Sequence, residues 1–324
     1  MNSGQPFISV ILATYNRKRM LVELLESLAN QTYRDFEVMV VDDCSNDGTW
    51  EWLYANTGAF SFPLRIHCMP GRSGGPAAPR NFAIPQAIGS IIAFTDSDCV
   101  TTPEWLARGV SHFAETTGFV QGKTIPHPGD PRPMFFTAGE VTAPTGDTSN
   151  IFYRREALEQ AGGFSSDFMD GPSAYSMYGD DIDLAYRVRE AGYGAEFAPD
   201  AVVMHHVVPL TLKQWLLRPL SAITGPYLVR RHPRIRSELL FLRYFVSRMT
   251  ALFDLFIVGL LSGALLSIWC LLLCLPFLIA KYREGGVHMT VVSRTLRLGG
   301  ASVRSLVTLG ALLCGSFRAR SLLL

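Results

Sequence analysis

The chain has 324 residues, 48% of them apolar, with 29 basic and 28 acidic side chains and a net charge of +1. That length suits one large domain with an appendage, or two domains, and the chain shows no repeat or low-complexity tract. The charge is unevenly spread: residues 1–208 carry 14 basic and 25 acidic side chains, whereas residues 209–324 carry 15 and 3. The second part sets its arginines among Leu, Phe and Ile, which argues against a nucleic-acid partner and for a membrane surface. The six cysteines show neither zinc spacing nor a paired framework, and read as reduced thiols. Residues 1–20 lack the basic end and apolar stretch of a signal peptide, so the N-terminal body is expected in the cytosol.

The run Phe7–Leu12 is short, apolar and bounded by Pro6 and Asn16, which predicts a first strand. Asn16 is expected to cap the helix that follows, where Met20, Leu21, Leu24, Leu25 and Leu28 recur on one face. Phe36–Val41 predicts a second strand ending at Asp42 and Asp43, and Asp47-Gly48-Thr49 turns into a short helix. Leu64–Cys68 predicts a third strand. The glycine- and proline-rich stretch 71–79 leads to a helix around Arg80–Ile88, which Pro85 should kink or break. Ile91–Phe94 reads as a buried strand. Strands alternating with helices over the first hundred residues predict a parallel sheet covered on both faces. Residues 126–148 read as a loop-rich segment or an edge hairpin. Arg154–Ala161 predicts a helix ending at Gly162-Gly163, residues 165–179 a mobile loop, and Asp180–Ala191 a helix that Gly192 closes in the αL conformation.

Asp96 and Asp98 follow the strand Ile91–Phe94 with one small residue between them. Ligands in an open α/β sheet bind beyond the carboxyl ends of strands. Two neighbouring carboxylates stay ionised together when a cation joins them, and hard oxygen ligands favour Mg²⁺ or Mn²⁺, which also bridge phosphate oxygens. The pair therefore points to a metal that holds a nucleotide diphosphate.

Five blocks in order carry a resemblance: Ala13-Thr14-Tyr15-Asn16-Arg17, Val41 to Thr49, Arg80-Asn81, Asp96-Ser97-Asp98, and Gly179-Asp180-Asp181-Ile182-Asp183-Leu184 with Arg187. Over residues 7–208 the chain resembles the inverting family 2 glycosyltransferases of GT-A fold, of the membrane-associated bacterial type that builds polysaccharides and glycolipids. The resemblance implies an α/β GT-A domain at 1–208, with a Rossmann-like, mostly parallel sheet. It implies a base pocket formed by Asp42 with Thr14 and Tyr15, although Tyr15 equally fits a packed strand-end aromatic. It places Arg80 near the nucleotide or its phosphates, Asp96 at the ribose or a metal-bound water, and Asp98 on Mg²⁺ or Mn²⁺. Asn81 would brace the glycine-rich loop. Cys99 stands where relatives have a further acid.

His205 and His206 follow a strand and point to opposite faces, so only one can close the metal site. Spacing favours His205; a structural histidine pair is the other reading. Asp181 matches the general base that takes the acceptor hydroxyl proton. Asp180 stands in place of a usual Glu, and Asp183 with Arg187, four residues apart, would anchor the helix.

Residues 209–250 predict basic, amphipathic interfacial helices, and 251–324 a hydrophobic, membrane-associated region. Phe253–Ala280 holds 28 residues and one charge, Asp254. As one helix it would reach about 42 Å against an apolar core of roughly 30 Å, and it is too short for two spans. Both flanks are basic, which favours a re-entrant hairpin bent at Gly259, Gly263 or Pro276 over a tilted single span. Residues 299–324 fit an interfacial element or an oligomer contact.

The expected activity is transfer of a sugar, from a UDP-sugar first of all, to a lipid-linked or growing glycan acceptor at the cytoplasmic face of the cell membrane. A nucleotidyltransferase and a non-catalytic membrane partner that keeps the fold are the alternatives.

Overall fold

A computed structural model of the chain describes residues 7–131, 133, 136–137, 140–168, 179–283 and 291–324. These residues fall into two compact units, the first holding the described residues up to 168 together with Asp180–Leu210, the second holding Gly179 and Thr211–Leu324.

The first unit is built on one sheet. Its parallel half contains β1 (Ile8–Thr14), β2 (Phe36–Asp42), β3 (Leu64–Cys68) and β4 (Ile91–Thr95). After β4 come β5 (Cys99–Thr101), β6 (Thr117–Pro126), β7 (Phe136–Thr137), β8 (Asn150–Arg154), β9 (Gly194–His205) and β10 (Val208–Pro209). The spatial order is β3-β2-β1-β4-β8-β6-β9-β5, and β7 pairs with β10 in a separate two-stranded sheet. Strands β1 to β4 are mutually parallel, while β8 runs antiparallel to both β4 and β6. The parallel strands are near-continuous apolar runs, as expected of strands covered on both faces.

Six helices cover this sheet: α1 (Lys18–Ala29), α2 (Thr49–Asn56), α3 (Ala77–Ala83), α4 (Trp105–Ser111), α5 (Arg155–Ala161) and α6 (Asp180–Glu190). Helix α1 buries Leu21, Leu24, Leu25 and Leu28 on one side of the sheet, each contributing about 1.5–3 kcal/mol. On the other side Leu184, Ala185 and Val188 of α6 pack with Ala157 and Leu158 of α5.

Two local expectations are corrected. Asn16 does not cap α1: it adopts φ 50°, and its carboxamide oxygen accepts from the Asn46 amide at 2.8 Å. Asp47, from the loop after β2, does that work instead, accepting from Lys18 N at 3.0 Å and from Thr49 N at 3.1 Å. Helix α3 begins three residues before Arg80. Pro79 fits its first turn, where an amide has no helical acceptor, and Pro85 opens a 3-10 turn over Ile84–Gln86, as expected. Gly192, at φ 97°, closes α6. The predicted loop 165–179 lies outside the described residues from 169 to 178.

The second unit is helical: α7 (Leu212–Leu217), α8 (Gly225–Arg231), α9 (Ile235–Glu238), α10 (Arg248–Leu265), α11 (Leu275–Arg283) and α12 (Val291–Ala319). Among the described residues, two stretches, Arg248–Leu265 and Leu298–Ala319, are long and apolar enough to cross a membrane. The apolar stretch 253–280 folds back on itself, α10 packing against a 3-10 segment, Ile268–Cys274, and α11. The reversal is at Leu266-Ser267, not at Gly259, Gly263 or Pro276. The two glycines instead let the returning chain approach: a Cβ at Gly263 would lie 2.5 Å from Leu271, and one at Gly259 2.9 Å from the Cys274 sulfur. Phe277 meets Phe253 and Phe256 at ring separations of 5.1 and 5.4 Å across the fold-back.

Candidate active site

The carboxyl ends of β1, β2 and β4 carry the candidate donor residues. Thr14 ends β1 opposite Asp42 in the parallel register, and its buried hydroxyl has no hydrogen-bond partner. Asp42 is fully buried. Burial pushes its carboxyl up from the ordinary range, and the Ser45 hydroxyl and amide, the latter at 3.1 Å, pull against that shift. The next residue, Asp43, accepts from Ser73 N at 2.8 Å and pairs with Arg72. The Arg72 guanidinium lies 3.5 Å above the centre of the Tyr15 ring. Tyr15 is thus an exposed ring roofed by a cation rather than a packed strand-end aromatic.

At the end of β4, Asp96 accepts from Arg80 Nη2 at 2.6 Å. Arg80 is 3% exposed, lies 5.4 Å from the Phe164 ring centre, and its Nε finds no acceptor. Asn81 braces a different loop from the one expected: it exchanges hydrogen bonds of 2.7 and 2.8 Å with Phe164, after α5.

Asp98 is buried and pairs through Oδ2 with Arg17 at 2.8 Å. Its Oδ1 is buried without a hydrogen bond, and His205 Nε2 stands 3.6 Å from it. His205 Nδ1 lies 2.8 Å from the His206 carbonyl, which assigns the proton to Nδ1 and leaves the Nε2 lone pair facing Asp98. This orphaned oxygen and aimed imidazole fit a divalent cation. Cys99 completes a cluster with Asp98 and His205 whose ligand atoms lie within 4.8 Å of one another. Burial, then Asp96 and Asp98, push the Cys99 thiol well up; a soft sulfur is also a poor match for the hard ions Mg²⁺ and Mn²⁺.

Asp180 and Asp181 open α6, where the helix dipole favours negative charge. Burial, Asp180 and Asp147 together drive the Asp181 carboxyl well above the usual range, while the Ile182 amide and Arg80 oppose them. Asp180 is raised too, by burial, with Arg80 as the largest opposing influence. Arg80 therefore bonds the β4 carboxylate and also acts on the α6 pair. Asp183 accepts from Arg187 Nε at 2.7 Å, and Arg187 Nη2 donates to Gly163 O at 2.6 Å, which ties α6 to the end of α5.

Three residues had no assigned role in the sequence reading: Arg17, Arg72 and Asp147. Arg17 was legible as part of the first block, but its partner lies 81 positions away. Arg72 and Asp147 stand in loops without periodicity.

A model of the family described as "Glycosyl transferase family 2" matches residues 9–176, more than half of the chain. The chain belongs to glycosyl transferase family 2. This family 2 transferase is 32% identical over 222 residues to glycosyltransferase AglE of Haloferax volcanii, covering 64% of this chain and 70% of AglE. It is 39% identical over 142 residues to the poly(ribitol-phosphate) β-N-acetylglucosaminyltransferase TarS of Staphylococcus aureus, covering 41% of this chain and 24% of TarS. Among solved structures, a mannosyltransferase of Pyrobaculum calidifontis in complex with GDP-Man and Mn²⁺ superposes with TM-score 0.54 at 20% identity, covering 98% of this chain and 88% of that one. That likeness shows the GT-A fold. The protein is a glycosyltransferase, and the nucleotidyltransferase reading and that of a non-catalytic partner both fall away.

Proposed function

We propose that this transferase moves a sugar, with inversion, from a UDP-sugar to a lipid-linked or growing glycan acceptor at the cytoplasmic face of a membrane. The observation that carries the reading is the shared guanidinium of Arg80. It bonds Asp96 at the end of β4, and its charge also acts on Asp180 and Asp181 at the start of α6, which supports a reading in which one cation links the carboxylates of the donor side with those of the acceptor side.

In this reading the base lies between the ends of β1 and β2. The Asp42 carboxylate accepts its imide N–H, and the free Thr14 hydroxyl offers a further polar contact. Asp96 faces the ribose. Asp98 and His205 would hold Mg²⁺ or Mn²⁺, which when bound offsets the charge of the departing diphosphate. Arg17 shares Asp98 and is placed to turn to the phosphates. Asp181 accepts the proton of the acceptor hydroxyl as that oxygen bonds the anomeric carbon, and the anomeric C–O bond to the diphosphate breaks with its electron pair leaving on oxygen. The raised pKa of Asp181 suits a base that must receive this proton.

The membrane part of the reading rests on the second unit. The end of its fold-back exposes Leu265, Leu266, Ile268 and Trp269 by 72–81%, and basic residues flank it on both sides. An exposed apolar tip with basic flanks suits insertion into an anionic leaflet. One relative's name supports the acceptor class: an Escherichia coli protein, 35% identical over 113 residues that cover 34% of this chain and 41% of its own, is named a UDP-Glc:α-D-GlcNAc-diphosphoundecaprenol β-1,3-glucosyltransferase.

Calorimetric titration with UDP, GDP and dTDP in Mn²⁺ tests the donor assignment. UDP is expected to bind most tightly and to lose affinity in Asp42→Asn. Equal binding of all three, unaffected by that change, would overturn it.

A further inference from the structure

His206 faces away from Asp98 and anchors a second cluster. Its ring is buried, with Nδ1 2.8 Å from Asp130 Oδ2 and Nε2 3.2 Å from Glu23 Oε2. The His127 ring stacks beside it at 4.6 Å, and His127 Nδ1 lies 3.5 Å from Asp130 Oδ1. That nitrogen is buried and makes no hydrogen bond. One ligand atom from each of His127, Asp130 and His206 lies within 4.8 Å of the other two.

We propose that His127, Asp130 and His206 form a binding site for a first-row divalent metal ion of the zinc class, separate from the Asp98–His205 site. Four observations converge on it. Two imidazoles and one carboxylate are borderline ligands that suit Zn²⁺ and its neighbours rather than Mg²⁺ or Ca²⁺. Ligand atoms about 2.0–2.1 Å from a tetrahedral zinc stand roughly 3.3 Å apart; His206 Nδ1 lies 2.8 Å from Asp130 Oδ2 and His127 Nδ1 3.5 Å from Asp130 Oδ1, so the two imidazoles face the two oxygens of one carboxylate at close to that spacing. Glu23 is positioned as the outer carboxylate, 3.2 Å from His206 Nε2: in the tautomer that donates there, the Nδ1 lone pair of His206 points into the cluster. Among the described residues the buried His127 Nδ1 has no hydrogen-bond partner.

Asp130 is itself held by the Val207 amide at 2.8 Å, so the carboxylate is oriented before any ion arrives. Three protein ligands leave a fourth position for water. The ligands come from the turn after β6 and from the residue after β9, with Glu23 reaching in from α1. A bound ion would therefore clip that turn to the strand end that carries His205. Adjacent residues on an extended chain point to opposite sides, so His205 and His206 can serve two ions without competing.

The full-length protein, stripped with a chelator, is titrated with Zn²⁺ in excess Mg²⁺ by calorimetry, and with Co²⁺ by its visible absorption. No donor or acceptor is present, so the outcome is independent of the transfer reaction. One Zn²⁺ site is expected to survive Asp98→Asn and to weaken by at least about tenfold in His127→Gln, with Glu23→Gln costing about 10–100-fold. Thermal melting of each variant checks folding. Glu23 is 42% exposed and serves as the second variant if His127→Gln fails to fold. Loss of all Zn²⁺ binding in Asp98→Asn, or wild-type binding in both His127→Gln and Glu23→Gln, overturns the site.

Discussion

At the scale of single residues, the proposed base is Asp181. Its carboxyl is held well above the ordinary range by burial and by two like charges, Asp180 and Asp147. A base works only when ionised, so transfer should rise with pH along a limb displaced above the usual carboxylate pKa, and Asp181→Asn should remove that limb. The same change should lower kcat by roughly 10²–10⁴ while leaving UDP affinity near wild type. The linkage sign follows from the direction of the shift. A carboxyl whose folded pKa lies above its unfolded value favours the folded state while protonated, and that support is lost as pH rises through the folded pKa. At neutral pH Asp181→Asn should therefore raise the thermal midpoint, a gain in stability alongside a loss of activity.

Arg17 supports a second prediction. It is the cation that bonds the buried Asp98 carboxylate. Arg17→Gln should lower the metal-free thermal midpoint and enlarge the upward shift that Mn²⁺ produces. An Mn²⁺ shift equal to that of the wild type would show that Asp98 does not meet the ion.

At the scale of elements, the parallel half was legible because its strands are short apolar runs punctuated by Gly, Pro and Asp. The carboxylates at the ends of β2 and β4 followed from it. The antiparallel half was not legible. Strand β6 reads Thr-Gly-Phe-Val-Gln-Gly-Lys-Thr-Ile-Pro, with two glycines and a buried Gln121, and β8 starts with Asn150. Tertiary contacts explain these choices. Gln121 Nε2 donates to the carbonyls of Asp147 and Asn150 at 3.0 and 2.6 Å, and so shapes the loop that brings Asp147 near Asp181. Asn150 accepts from Trp105 Nε1 at 2.8 Å and donates to Lys123 O and Ala201 O, both at 2.9 Å. Gly122 leaves room for it, since a Cβ there would lie 2.3 Å from the Asn150 side chain. Three hydrogen bonds, two of them buried, at about 0.5–1.5 kcal/mol each predict that Asn150→Ala loses about 1.5–4.5 kcal/mol in urea unfolding. A loss under about 0.5 kcal/mol would show that solvent satisfies these groups. Among helices, the i,i+4 pair Asp183–Arg187 was readable from spacing. The carbonyl that Arg187 also reaches, at Gly163, was not, because it belongs to another element.

At the scale of the whole molecule, the charge asymmetry of the sequence matches the division into a sheet-based unit and a helical one. Composition made the second unit's apolar, basic character plain, and its length ruled out two full spans in 253–280. Composition could not locate the reversal, because Leu266-Ser267 carries no turn signature and the glycines nearby serve close packing instead. Replacing Leu266 and Trp269 with Ser should release the protein from anionic vesicles in a sedimentation assay, and added salt should weaken the wild type's binding. Retention by neutral vesicles alone, insensitive to salt, would contradict an anionic-leaflet contact.

The account as a whole stands on donor turnover. Detergent-extracted full-length protein with Mn²⁺ is offered UDP-, GDP- and dTDP-sugars together with a polyprenyl-diphosphate glycan acceptor, and nucleotide diphosphate release is followed. The account predicts UDP release from one donor, abolished in both Asp98→Asn and Asp181→Asn. Turnover that persists in Asp181→Asn, or release only from a GDP- or dTDP-sugar, would contradict it.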